Sequence, residues 1–128
     1  MRECLAEQVA VETIPGASAF LPALILSGLP TDRFVFEGFL PAKKGRKKRI
    51  EALREETRTI VFYESPHRLL RTLRDLEPYF GDRPAAVVRE ITKKFEEVRR
   101  GLLKDLLVEL SQVRPRGEYV LVISGKGK

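Results

Sequence analysis

Apolar residues in this chain occur either in short unbroken runs or at spacings of three and four, and the two patterns take turns, which predicts strands separated by helices. Thr59-Ile-Val-Phe-Tyr63 and Pro84-Ala-Ala-Val-Val88 are continuous apolar runs, as in strands covered on both faces. Phe34 to Leu40 and Gly117 to Ile123 predict two more strands, Val9 to Ile14 another ending at Pro15-Gly16, and the polar stretch Glu96 to Arg100 an edge pairing. Leu69, Leu70, Leu73 and Leu76 repeat at helical spacing behind Ser65-Pro66, where the serine predicts an N-cap and the proline the first helical position. Leu102, Leu103, Leu106, Leu107 and Leu110 predict a second amphipathic helix. A short apolar helix is expected from a cap at Ser18 to Ser27, stopped by Gly28 and Pro30, and Ile50 with Leu53 marks one reaching about Glu56. Arg2 to Gln8 reads as the last turns of a helix with no start of its own, so the chain is expected to open within an element.

Strands and helices in alternation indicate an α/β architecture, a mixed β-sheet flanked by helices. At 128 residues the chain can bury a single core, and 43% hydrophobic with 33% charged residues makes it globular. No apolar run reaches the roughly 18 to 20 residues that span a bilayer. The longest, Ala17 to Leu29, is broken by Pro22 and lacks the basic start and cleavage site of a secretory signal. Cys4 and His67 are each the only residue of their type, which excludes a disulfide framework and a thiolate cluster; no metal is expected, and a reducing, cytoplasmic setting fits.

Charge changes the picture at one place. Lys43, Lys44, Arg46, Lys47, Lys48 and Arg49 fill six of seven consecutive positions, and without them the 24 Lys and Arg fall to 18, equal to the 18 Asp and Glu. A run of this kind can be a solvated face, but an excess gathered in one patch also creates the local positive potential that a polyphosphate uses. Phe34 to Pro41 leads straight into it, so the run is expected as a basic loop held at the rim of the folded body.

Candidate chemistry gathers where strands end, since ligands of open α/β sheets lie outside the carboxyl ends. Pro15-Gly-Ala-Ser-Ala19 is a strand-to-helix turn of small residues that lets a ligand approach the backbone. Tyr63-Glu-Ser-Pro-His-Arg68 sets a carboxylate, a hydroxyl, an imidazole and a guanidinium together. Ser65 reads as a cap rather than a nucleophile for want of an activating base; His67 is open to either a structural role or general-base chemistry, and Arg68 suits a phosphate or a carboxylate. Arg89 to Gly101 is a third polar segment, either a salt-bridged hairpin or part of a site. Neither a Gly-x-Gly-x-x-Gly nor a Walker loop occurs, so nothing here cradles a nucleotide unaided.

Taken in order, Pro15-Gly-Ala-Ser-Ala19, Ser27-Gly-Leu-Pro-Thr-Asp-Arg-Phe34, Phe36-Glu-Gly-Phe-Leu-Pro-Ala-Lys43, Phe62-Tyr-Glu-Ser-Pro-His-Arg-Leu69, Arg89-Glu-Ile-Thr-Lys93 and Gly117-Glu-Tyr-Val-Leu121 resemble the bacterial small-subunit ribosomal RNA 2′-O-methyltransferases of the tetrapyrrole methylase superfamily. The resemblance runs from about Val9 onward and covers the C-terminal domain of that fold. It implies that residues 1–14 are the tail of a preceding domain carrying the Gly-rich cofactor loop, that 15–128 form the C-terminal methyltransferase domain, and that this part alone is inactive. It implies S-adenosylmethionine as cofactor, with Ser18, Ala19, Tyr63, Glu64, Glu90 and Ile91 along one wall of its pocket and Glu64, His67 and Lys93 as candidate bases. It further implies a cytidine ribose of 16S rRNA in the small ribosomal subunit as substrate, Lys43, Lys44, Arg46, Lys47, Lys48 and Arg49 as RNA contacts, and a homodimer without membrane association. Two rivals stand beside it, a precorrin-type tetrapyrrole methylase and a non-catalytic RNA-binding module; the basic run argues against the first, since a small carboxylated macrocycle has no need of a polycation.

Overall fold

The most apolar runs occupy the middle of a five-stranded mixed sheet, and the charged one lies at its edge. The computed structural model describes residues 2–127. Its strands are β1 (Phe34–Gly38), β2 (Thr59–Glu64), β3 (Pro84–Arg89), β4 (Glu97–Leu102) and β5 (Tyr119–Ile123), in the spatial order β1-β2-β5-β3-β4. Its helices are α1 (Arg2–Ala6), α2 (Phe20–Ser27), α3 (Arg46–Leu53), α4 (Leu69–Phe80) and α5 (Leu103–Ser111). Among the described residues no helix is long and apolar enough to cross a membrane.

β1 runs parallel to β2, whereas β5 is antiparallel to both β2 and β3, and β4 to β3. Hence β1, β2 and β3 all finish at one end of the sheet, at Gly38, Glu64 and Arg89, beside the starts of β5 and β4. Glu64 and Arg89 both pair with Tyr119, so β5 draws the ends of β2 and β3 together.

Successive strand residues point to opposite faces, and each face has its own cover. Ile60, Phe62, Val87, Leu121 and Ile123 pack against Ile50 and Leu53 of α3, Leu69, Leu73, Leu76 and Phe80 of α4, and Leu103, Leu106 and Leu110 of α5. Val61, Val88, Val120 and Val122 pack against Ala23 and Leu24 of α2. Each leucine closed off in this way contributes about 1.5 to 3 kcal/mol. The β4 edge carries Glu97, Arg99 and Arg100, charges that discourage pairing with a further strand.

Four expectations from the sequence are corrected. Val9 to Ile14 forms no strand: it lies outside the sheet with Ile14 94% exposed, and an apolar run with no partner strand leaves its backbone groups to solvent. Ser18 does not cap α2; Ala19 holds that position without a side-chain bond, though Gly28 ends the helix in the left-handed conformation at φ 73°. Ser65 makes no side-chain cap either; its carbonyl accepts from the N–H groups of Arg68 (3.1 Å) and Leu69 (3.0 Å), giving a turn from which α4 starts at Leu69. Finally, the basic run is half helix. Gly45, at φ 81°, turns the chain into α3, and Arg46, Ile50 and Leu53 form its buried face at spacings of four and three.

Candidate functional site

At the carboxyl end of β1, β2 and β3 lies a pocket of about 420 Å³ lined by Ala19, Phe39, Tyr63, Glu64, Ile91 and Glu118, among others. Phe39 follows the end of β1 and stands 60% exposed, its ring centroid 5.7 Å from that of Tyr63. The aromatic row continues away from the pocket, Tyr63 edge-on to Phe36 at 5.1 Å and Phe36 stacked on Phe20 at 4.7 Å. Ala19, at the start of α2, presents only a methyl group. Of the six residues expected along a cofactor wall, Ala19, Tyr63, Glu64 and Ile91 therefore meet in one pocket. Ser18 lines a neighbouring apolar groove of about 550 Å³ with Leu21, Pro22 and Ile25.

Glu64 is buried, and its carboxylate is already engaged. One oxygen accepts the Ser65 N–H at 2.8 Å and lies 3.6 Å from the Arg68 guanidinium, while the other accepts the Thr72 hydroxyl at 2.6 Å. Thr72 in turn accepts from Arg46 at 2.8 Å, and Arg46 donates to Asp75 at 2.7 Å and to the Pro41 carbonyl at 3.1 Å. Arg68 also donates to the Leu40 carbonyl at 2.7 Å. This buried polar chain ties the end of β2, the first turns of α4, the start of α3 and the segment after β1 into one piece.

The turn after β3 is fixed differently. Glu90 and Thr92 adopt φ of 47° and 63°, unusual for residues with side chains, and Thr92 is β-branched. Glu90 does not line the pocket: its carboxylate accepts the Glu118 N–H at 2.7 Å and pairs with Lys93 at 3.4 Å, which keeps its pKa below the usual carboxylate value. Lys93 bonds to Glu118 at 2.9 Å and to Glu90, and these carboxylates raise its pKa. The same two contacts hold the Lys93 ammonium group at the turn after β3. His67 is exposed, one residue beyond the pocket-lining Pro66.

The basic run divides into distinct parts. Arg46 is only 5% exposed and committed to Asp75, Thr72 and Pro41, so its expected contact with RNA is corrected to a structural one. Arg49 forks onto Glu37, donating from Nε at 2.7 Å, and this partner raises its pKa. Lys43, Lys44, Lys47 and Lys48 remain exposed.

Reasoning from the sequence missed Phe39, Glu118 and Tyr119. Phe39 could have been found as an exposed aromatic at a strand end within Phe-Glu-Gly-Phe-Leu-Pro, whereas Glu118 and Tyr119 reach the site only through the insertion of β5.

The family model for Tetrapyrrole (Corrin/Porphyrin) Methylases matches residues 1–107. The chain belongs to the tetrapyrrole methylase family. Relatives of this chain include proteins named ribosomal RNA small subunit methyltransferase I: one from Thermotoga maritima, 43% identical over 126 residues covering 98% of this chain and 57% of the relative, and one from Synechocystis, 48% identical over 124 residues covering 95% and 44%. The chain spans about half the length of the curated relatives it matches. Solved methylases share its fold. A cobalt precorrin-4 methyltransferase of cobalamin biosynthesis superposes with a TM-score of 0.67 at 16% identity, covering 96% of this chain and 55% of its own. A uroporphyrin-III C-methyltransferase from Thermus thermophilus, complexed with S-adenosylhomocysteine, superposes with 0.57 at 22% identity, covering 94% and 55%.

Proposed function

We propose that this chain forms one wall of the S-adenosylmethionine pocket in a methyltransferase that modifies the ribose 2′-oxygen of a cytidine in 16S rRNA. The observation that carries the reading is the aromatic pocket at the carboxyl ends of β1, β2 and β3, in a chain 43% and 48% identical to relatives named as small-subunit rRNA methyltransferases. In this reading residues 1–14 end a preceding unit, 15–128 form the C-terminal one, and the facing wall comes from the length of the relatives that this chain does not span.

The lining suits that cofactor. Phe39 and Tyr63 offer aromatic surface to an adenine, Ala19 lets the ligand come close to the backbone, and Glu118, held by Lys93 through one oxygen, has its other oxygen for a cationic amino group. When bound, the cofactor supplies an electrophilic methyl group on a cationic sulfur that leaves as a neutral thioether. The part of the chain is to hold the acceptor oxygen in line with that methyl group, about 3 Å away, and to take its proton. Glu64, His67 and Lys93 are the candidates to take that proton, and of these His67 is exposed beside the pocket-lining Pro66. Lys43 and Lys47 would hold RNA phosphates at a distance from the chemistry, giving affinity without sequence information. A homodimer and a cytoplasmic setting belong to the same reading.

The test is a fusion of this chain behind the N-terminal part of the Thermotoga maritima relative. The fusion is expected to bind S-adenosylhomocysteine in a calorimeter and to transfer a tritiated methyl group to small subunits that lack the modification, while the 128-residue chain alone does neither. A folded fusion that binds the cofactor yet labels no ribose would remove the substrate; one that ignores the cofactor would remove the reading altogether.

A further inference from the structure

On the face of the sheet away from α2, α3 and α4 lean together and leave a groove of about 410 Å³. Lys43 and Lys47 line one wall and Arg71 and Arg74 the other, with Tyr79 and Asp75 also in the lining. The two arginines are three positions apart on α4 and so share a helix face. Asp75 is already taken by Arg46 at 2.7 Å and reaches Arg71 only at 3.8 Å; Lys47 has Glu51 at 3.9 Å. Among the described residues neither Lys43 nor Arg74 has a carboxylate within 4 Å. A groove with cations on both walls, and with its one lining carboxylate neutralised from behind, is built for a chain of negative charge.

We infer that this groove between α3 and α4 holds the phosphate backbone of single-stranded RNA, and that Arg71 and Arg74 of α4 belong to the RNA surface together with Lys43 and Lys47. The inference deepens the proposed substrate reading and rests on it. Guanidinium forks match phosphate oxygens, and Tyr79 offers a ring on which a base can stack, a combination that single-stranded nucleic acid uses and an acidic peptide does not. The basic run is thereby divided: Lys48 lines a separate cleft with Glu37, Phe39 and Arg49 on the other side of α3. Arg46, buried between the two elements, sets their separation through Asp75 and Thr72.

The test measures fluorescence anisotropy of a labelled RNA dodecamer against the 128-residue chain, from 50 to 300 mM salt. Each lost phosphate contact takes about 0.7 from the slope of log affinity against log salt, so R71Q/R74Q is expected to lower it by about 1.4 and to weaken binding about 25-fold at 0.1 M salt. K43Q/K47Q is expected to do the same, and K44Q/K48Q to do less. All six side chains are exposed, and melting curves verify that each variant folds. If K44Q/K48Q removes binding while R71Q/R74Q retains it, the groove is wrong and the RNA reading survives. Competition by polyglutamate as effective as that by RNA would overturn the nucleic-acid assignment. If the parent chain does not bind RNA even at 50 mM salt, both the groove and the rRNA substrate fall, whereas the cofactor reading keeps its own calorimetric test.

Discussion

Replacing Arg46 with Met removes one charge from a basic run, and a solvated run would not register it. The geometry gives a different expectation. The Arg46 side chain is 6% exposed and donates to Asp75, Thr72 and the Pro41 carbonyl. Removing one partner of a buried ion pair costs about 3 to 5 kcal/mol. Asp75 is 38% exposed and water can take over part of its charge, while Met preserves the packing of the arginine stem, so the expected loss is about 2.5 kcal/mol. At about 4 °C per kcal/mol for a domain of this size, the melting midpoint falls about 10 °C. Lys47→Met, one residue along and exposed, shifts stability by less than about 0.5 kcal/mol. Urea titrations of both variants, with Asp75→Asn alone and combined with Arg46→Met, measure the cost and the coupling, which should be at least about 1 kcal/mol. Equal urea midpoints for Arg46→Met and Lys47→Met would refute the assignment of Arg46 as the anchor of α3.

Other consequences are open to the same kind of measurement. Thr72→Val deprives Glu64 of its hydroxyl donor in a fully enclosed setting and should cost about 1 to 3 kcal/mol, with Thr72→Ser restoring most of it in urea titration. Gly117 sits at φ 84° with the Glu90 carboxylate where a Cβ would go, so Gly117→Ala should lower the urea midpoint by at least the roughly 1 to 2 kcal/mol that a left-handed residue costs. Because the folded-state pKa of Glu90 is depressed, its contribution is present above the ordinary carboxylate value and lost as pH falls through the lowered one. Lys93, raised, contributes below its ordinary value and loses that contribution as pH climbs through the raised one. Amide protection in the 90–96 turn, taken relative to the intrinsic exchange rate at each pH, should therefore fall at both extremes, and protection insensitive to acid would contradict the clasp. Phe39→Ala, at a largely exposed position, should leave the melting midpoint of the fusion nearly unchanged yet weaken its binding of S-adenosylhomocysteine, measured by calorimetry.

How far the sequence could be read followed from how local each determinant is. β2, β3 and β5 were legible because a strand covered on both faces is apolar throughout, and α4 and α5 because leucines at three and four positions need only their own helix to line up. Val9 to Ile14 has equal propensity but no partner, and pairing is not a property of the segment. Arg46 was grouped with its charged neighbours, although its spacing to Ile50 and Leu53 places it on the buried face. Around the pocket, Tyr63 and Glu64 close β2, Ile91 follows β3 and Ala19 precedes α2, so each lies in a short motif at the end of an element. Glu118 and Tyr119 join them only through pairing across more than fifty residues of chain, which no local pattern encodes.

The placing of β5 has a consequence for how the chain reaches its native state. It comes last of the five strands yet lies in the centre of the sheet, buried throughout and paired on both sides. Until it inserts, β1 with β2 and β3 with β4 are two ribbons without a shared ladder, each presenting an open apolar edge. Such long-range closure is slow, and on a ribosome that delivers residues in order it must wait until nearly the whole segment has been made. A nascent chain halted before Tyr119 would expose the edges of β2 and β3 to any passing strand, making the growing polypeptide a client for chaperones. The pocket cannot close until Glu118 and Tyr119 stand between Glu64 and Arg89.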